Sequence, residues 1–332
     1  MTAPLRDTVT AEAEEPETAV DTSKKDVEGR SLGRIAWNRL KRDRLALVGG
    51  FVVLFLVMVA IFAPFIAKLV GQDPYGYNQD LIDPLFGTPK GALGGMSSEH
   101  LLGVEPVSGR DIFVRIVYGA RVSLLVGFLS AMVAVVVGTV MGILAGYFGG
   151  WVDALISRAM DMLLAFPQLL FIISLIAVMP NSMLGLSGTG VRLALMVLVI
   201  GFFGWPYVGR IVRGQTLSLR EREYVEAARS LGAGRPYILF KELLPNLIAP
   251  ITVYTTLIIP TNILTEAALS FLGAGVKPPT ASWGQMLSDA IKYYEQDPMF
   301  MVVPGVAIFI TVLAFNLFGD GVRDALDPKG SR

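Results

Sequence analysis

Residues 223–246 read EYVEAARSLGAGRPYILFKELLPN, a charged, glycine-punctuated segment between two long apolar blocks. In its first half Tyr224, Ala227, Ala228 and Leu231 recur at helical spacing and make one apolar stripe. The alanines keep that stripe shallow, so a neighbouring backbone can come close. Gly232 follows where a helix would end, and glycine takes the left-handed conformation of such an end without strain. Gly234 adds a second pivot, and Pro236 suits the first turn of a new helix. In that helix Phe240, Leu243, Leu244 and Leu247 form a second stripe, with Pro245 at the junction to the next apolar block. The segment predicts helix, sharp turn, helix: a rigid knuckle through which a push would reach both flanking blocks. An amphipathic linker lying on a membrane surface has the same periodicity, and spacing alone does not choose between the two.

The flanking blocks read as membrane spans. Of the 332 residues 53% are hydrophobic and only 17% charged, whereas soluble domains carry about a quarter charged residues. Six stretches approach the ~20 apolar residues that cross a bilayer: 46–67, 122–147, 155–178, 193–212, 248–273 and 301–318. The expected fold is therefore an all-α integral membrane protein with six transmembrane helices. Arg34, Arg39, Lys41, Arg42 and Arg44 precede the first span and put the N-terminus in the cytoplasm. Six crossings then return the C-terminus to the same side. The knuckle falls there too, carrying Arg213, Arg220, Arg222, Arg229, Arg235 and Lys241. Residues 68–121 become an extracytoplasmic loop despite Lys90, Arg110, Arg115 and Arg121, because long loops translocate regardless of charge.

The remaining segments are shorter. Residues 1–30 are too polar to bury a core and are expected to form a disordered cytoplasmic tail; they lack the apolar run of a signal peptide. Residues 31–45 interleave Ile35, Trp37 and Leu40 with the basic cluster and read as an interfacial amphipathic helix on membrane lipid. Residues 319–332 form a C-terminal cytoplasmic tail. In the last outer loop Trp283, Met286, Leu287 and Ala290 share one face of a short helix.

Chemistry is sparse. The chain has no cysteine, one histidine (His100), and 28 basic against 28 acidic residues. Thiolate chemistry is excluded, a triad or histidine metal site would have to use His100, and nothing in the charge points to nucleic acid. His100 reads as an ordinary loop residue. No phosphate-binding G-x-x-x-x-G-K-[ST] loop is present. No catalytic or metal site is expected, and the chain should not hydrolyse ATP itself.

Two acidic residues fall in or near spans, Asp161 and Glu266. A charge at mid-bilayer costs on the order of 3 kcal/mol on insertion scales, so each must face protein or water. They are candidates for lining a pathway, together with Asn262 and Thr265 on the fifth span, where Thr261 and Pro260 add polarity and a loosened backbone. The plainer reading of Asp161 is an ion pair with Arg158. Gly138, Gly142 and Gly146 recur every four residues and let another helix pack closely. Gly109, Arg110 and Asp111 brace the approach to the second span or, alternatively, dock an external protein.

Glu226-Ala227-Ala228, three residues, Gly232, and a Leu-Pro at 244–245 resemble the EAA loop of ABC-importer permeases, with Glu242 standing where an aliphatic residue is usual. HLLGVEPVSGRDIFVRIVYGARVSL (100–124), GYFGGWVDALISRAMDMLLAFPQLL (146–170), ALSFLGAGVKPPTASWGQML (268–287) and FNLFGDGVRDALDP (315–328) extend the resemblance to most of residues 101–328. Their order is similar to the C-type permease subunit of the dipeptide/oligopeptide/nickel importers. Val104 and Glu105 replace a usual Thr-Asp, with one extra residue before Gly109. The resemblance implies a type I ABC importer permease fold in the bacterial cytoplasmic membrane, with a five-helix core over 122–318 and an EAA-type coupling segment over 215–247. It implies a homologous second permease, two ATPase subunits that bind ATP and Mg, and an extracytoplasmic substrate-binding protein. Glu226, Ala227, Ala228, Gly232 and Pro236 would couple to an ATPase. The implied cargo is a dipeptide or oligopeptide, with a nickel chelate or other small solute as the alternative. A secondary transporter or channel would show intramembrane charge chains or internal repeats, and neither is evident.

Overall fold

A computed structural model describes residues 32–178, 182–183 and 186–327. The expected N-terminal tail of residues 1–30 lies outside them. The described residues are helical apart from loops and one two-residue antiparallel pair, β1 (Ser182–Met183) with β2 (Leu186–Ser187). Among the described residues five helical stretches are long and apolar enough to cross a membrane, or six if one bent pair counts as a span.

The chain enters through α1 (Leu32–Leu40) and turns into α2 (Arg44–Ile61). Asp43 starts α2 by accepting from the Leu45 and Ala46 amides, two donors that a helix start otherwise leaves unpaired. The apolar run expected over 46–67 breaks at Phe62, before Pro64, and continues as α3 (Ala63–Val70), which Gly71 ends in the left-handed conformation. The second span begins earlier than its apolar run suggests. In α4 (Ile112–Phe148) the first turn is set by Asp111, whose carboxylate accepts from the Val114 amide at 2.8 Å. At 37 residues α4 is about 55 Å long and outruns the hydrocarbon layer.

The third span is broken. α5 (Gly150–Ala165) and α6 (Gln168–Val178) meet at 84°. Phe166 stands between them with extended dihedrals, as a residue preceding a proline must. α7 (Thr189–Arg220) returns to the end of the bundle that carries α8 (Glu223–Ser230), here the knuckle end. After the turn, α9 (Arg235–Tyr237), a π-helical segment over Ile238–Leu243 and α10 (Leu244–Phe271) run on as one helix. The wider π turn lies directly before Pro245, which lacks an amide and would crowd an α-helical carbonyl four residues back. At the opposite, loop end α11 (Trp283–Ala290) starts from a Ser282 cap, and α12 (Pro298–Leu326) leads back. The tail expected from residue 319 is thus helical as far as Leu326.

The core is α4 against α7, with α10, α12 and α2 around them. A Cβ on Gly138 would sit 2.6 Å from Val208 Cβ, one on Gly142 2.7 Å from the Gly209 carbonyl, and one on Gly146 2.6 Å from Thr216 Cβ. The four-residue glycine repeat is thus where α4 receives α7, backbone nearly on backbone. In lipid this contact carries association, because apolar side chains gain little by leaving one hydrocarbon for another. α2 packs on α12 in the same manner, Gly49 lying against the Ala314 carbonyl and Ala46 against Gly321. Trp283, Met286 and Ala290 on α11 are all fully buried, against α4 and the start of α12.

Candidate functional site

The knuckle is pinned from beneath by Val225, Ile238 and Leu243, all buried, together with Leu219 and Tyr147. Two of its arginines reach back to the end of α4: Arg229 lies over the Tyr147 ring and Arg235 over Phe148, each 5.8 Å from the centroid. Gly232 has φ 81°, a left-handed turn that ends α8. Its amide is bonded to the Arg229 carbonyl at 2.9 Å, and the Ala233 amide to the Ala228 carbonyl at 3.0 Å. Pro236 lies in the first turn of the returning helix.

The stripe read from the sequence faces the other way. Tyr224, Ala227 and Leu231 are exposed, Leu231 at 88%, and Ala228 is half-buried. With Gly232, Tyr237 and Glu242 they line an open hollow of about 570 Å³. The small side chains keep it shallow and Tyr224 walls it. Burial pushes the Tyr224 hydroxyl up from its ordinary value, and the neighbouring Glu242 charge adds to that. Glu242, unusual by sequence, is thus a wall of the hollow. Glu226 is exposed beside it, without a hydrogen-bond or ion-pair partner among the described residues. Val225 and Ile238 were missed because eight residues of helix offer two overlapping apolar faces, and periodicity cannot rank them.

Ion pairs tie α5 to α7. Arg213 grips Asp153 through two hydrogen bonds of 2.5 and 2.7 Å, and Arg210 meets Asp161 at 2.5 Å. Asp161 therefore pairs across helices, and not with Arg158 on its own. Arg158 stands within reach by spacing, but Arg210 on α7 takes the carboxylate. The Asp161–Arg210 pair is about half exposed. Arg220 also donates to the Gly146 carbonyl on α4 at 2.8 Å.

The polar residues of α10 divide between two faces. Asn262 and Glu266 turn into the protein: Asn262 donates to Ser130 at 3.0 Å, and Glu266 accepts from Ser123 and Ser270 at 2.8 Å each. Thr261 and Thr265 lie on the adjacent, more open side, their hydroxyls spent on the backbone one turn back. The shared polar face expected from sequence is therefore split, since residues one apart on a helix point about 100° away from each other.

At the loop end Gly109, Arg110 and Asp111 are buried. Gly109 has φ 67°, and a Cβ there would collide with the Asn78 carbonyl. Arg110 donates to Glu105 at 2.8 Å. Glu105 also receives Arg115, which is fully buried and donates to the carbonyls of Pro74 and Pro279 and to Gln285. Asp111 caps α4 with one oxygen and bonds His100 Nδ1 with the other at 2.8 Å. These side chains brace the loop onto α4, and His100 is part of that brace. Asp297, before α12, is the contrast: it is buried against Gly94, and among the described residues no side chain pairs with its carboxylate, which has only the Phe300 and Met299 amides close by. Burial raises its carboxyl above the ordinary range, against the pull of the nearby Phe300 and Met299 amides. Among the described residues no group of acidic or histidine side chains could hold a metal ion.

Comparison with known proteins is extensive. Residues 138–332 match the family described as binding-protein-dependent transport system inner membrane component. Residues 31–86 match the N-terminal TM domain of oligopeptide transport permease C. The chain is 42% identical over 296 residues to the dipeptide transport system permease protein DppC of Alkalihalophilus pseudofirmus, covering 89% of this chain and 90% of that one. It is 43% identical over 300 residues to the glutathione transport system permease protein GsiD of Salmonella paratyphi A, covering 90% and 91%. A solved structure of the MetNI methionine ABC transporter, inward facing, aligns with 65% of this chain and 98% of that one at 21% identity and a TM-score of 0.49.

Proposed function

We infer the function from kinship: the chain belongs to the family of binding-protein-dependent transport system inner membrane components, and is a multi-pass permease subunit of an ATP-driven importer in the cytoplasmic membrane. The cargo we assign is a dipeptide or oligopeptide. That assignment is supported by relatives named for dipeptide and glutathione transport, each matched over about nine-tenths of its length.

In this reading a homologous second permease completes the pathway, an extracytoplasmic binding protein delivers the cargo, and two ATPase subunits bind ATP and Mg on the cytoplasmic side. One observation carries the coupling step. The hollow beside Gly232 is shallow and exposed, lined by small side chains with Glu242 in its wall, while the residues beneath it are locked into the bundle. An ATPase seated there would have Glu226 free to meet a basic group, with Ala227 and Ala228 allowing close approach. Gly232 and Pro236 hold the turn stiff. A displacement of the knuckle would pass to α10 along one continuous helix. It would reach α4 through Arg229 and Arg235, and α5 through the ion pairs on α7.

The pathway face we assign is the open side of α10 with Thr265, together with the half-exposed Asp161 on α5. Asn262 and Glu266 act from behind it, holding α10 on α4. A direct docking role for Gly109, Arg110 and Asp111 is replaced by bracing: they fix the loop that a binding protein would meet.

The test is uptake and ATP hydrolysis by the complex purified through this chain and reconstituted in vesicles. Gly232→Pro and Glu226→Lys should leave the subunit inserted, with peptide uptake reduced at least tenfold and ATP hydrolysis no longer answering to loaded binding protein. Wild-type uptake by both variants would remove the coupling assignment. The absence of ATPase subunits from the purified complex would remove the reading as a whole.

A further inference from the structure

Away from the knuckle, α2, α4, α10 and α12 enclose a second hollow, of about 440 Å³ and almost wholly apolar. Its floor is core: Leu124, Ile259 and Phe315 are each more than nine-tenths buried. Its walls are open: Val57 and Ile61 on α2 and Phe128 on α4 are 37%, 61% and 51% exposed. One charged residue lines it, Arg121 on α4. Arg121 is exposed and has no hydrogen-bond or ion-pair partner among the described residues.

Depth can be read from α2, which crosses from Arg44 at the knuckle end to Ile61 at the loop end. Arg121 shares the hollow with Ile61, the last residue of that crossing. The cation therefore stands where hydrocarbon gives way to headgroups at the loop end. Phe128 lies two turns, about 10 Å, deeper along α4. A guanidinium without a protein partner at this level favours an anion, because the apolar wall supplies no acceptor and lipid phosphates lie at that depth. Arginine presents a planar fork of donors that matches a phosphate diester. Below it the apolar lining continues along α4 past Leu124 and Leu125 to Phe128, with an open side.

We propose that Arg121 and the α2–α4–α10–α12 groove form a binding site for one glycerophospholipid, the phosphate diester on Arg121 and an acyl chain along the groove toward Phe128. The lipid would fill the hollow between the loop end of α2 and α4 and would hold that end of α2 in place.

The headgroup source is left to the arms of the experiment. The complex purified through this chain is stripped in detergent and titrated with phosphatidylglycerol, with phosphatidylethanolamine, or with diacylglycerol, which lacks phosphate. Bound lipid is counted by native mass spectrometry. Wild type should keep one tightly bound phospholipid, at least fivefold more occupied than in Arg121→Gln, while diacylglycerol should not compete. Ala60→Trp, which fills the groove and leaves the arginine, should lower occupancy as Arg121→Gln does. A preference for phosphatidylglycerol would identify an anionic headgroup, and equal binding of both phospholipids would identify the phosphate alone; either supports the site. Equal lipid retention by wild type and Arg121→Gln would overturn it. So would a photocrosslinker at position 125, with Arg121 intact, that captures a neighbouring subunit in place of lipid. None of these counts depends on peptide transport.

Discussion

Asp297 is a single residue whose environment sets a measurable pH dependence. Its carboxyl is buried with only the Phe300 and Met299 amides close by, and burial holds it above its ordinary value. The fold therefore favours the neutral acid. Stability from this group is complete below the ordinary carboxylate value and is lost as pH rises through the raised folded one. This is the reverse of an ion-paired aspartate. Thermal unfolding in detergent should show a decline over that window for wild type. In Asp297→Asn the decline should be absent, and the melting temperature at neutral pH should rise by about 1–2 °C, the response of a chain this long to about 1 kcal/mol. An unchanged profile would mean that the carboxylate finds a partner in solution. Nothing around Asp297 in the sequence signals its burial. The contact comes from Gly94, far earlier in the chain.

Among the elements, the α4–α7 seam depends on missing side chains. Gly142 has the Gly209 carbonyl 2.7 Å and Val212 Cβ 2.8 Å from where its own Cβ would be. Gly142→Val should force the helices apart and cost about 1–3 kcal/mol or more, lowering the unfolding temperature and opening the bundle to protease. Gly214 on α7 is the control, because a methyl added there would meet nothing within 4 Å. Gly214→Ala should be neutral or stabilising by up to about 1 kcal/mol through helix propensity. The glycine repeat was legible because small residues every four positions mark one helix face. Its partner was not, since any neighbouring helix could have filled that face. The break at Phe166–Pro167 was half legible. Proline announces an interruption, but the 84° angle comes from how α6 packs on α7.

For the molecule as a whole, orientation in the membrane governs whether the knuckle can meet an ATPase. The chain contains no cysteine, so single cysteines report without background. Leu85 in the loop is 87% exposed, and Glu223 on the knuckle is exposed. In intact cells a membrane-impermeant maleimide should label Leu85→Cys and leave Glu223→Cys unlabelled until the membrane is opened. Labelling of both from outside would invert the arrangement and take the knuckle away from any cytoplasmic ATPase.

The class of the protein was written in its sequence. Apolar runs of near-bilayer length require helices, because a backbone in hydrocarbon must bond within its own segment. A glycine and a proline at fixed offsets require a turn between two of them. Ordered motifs along most of the chain then supplied the family. Facing and pairing came only from tertiary packing. It turned Tyr224, Ala227 and Leu231 outward and Val225 inward, gave Asp161 to Arg210, and sent Asn262 and Glu266 to α4 while leaving Thr265 outside. Periodicity fixes which residues share a face. Which face is covered depends on the helix that arrives there, and that helix lies far away in the chain.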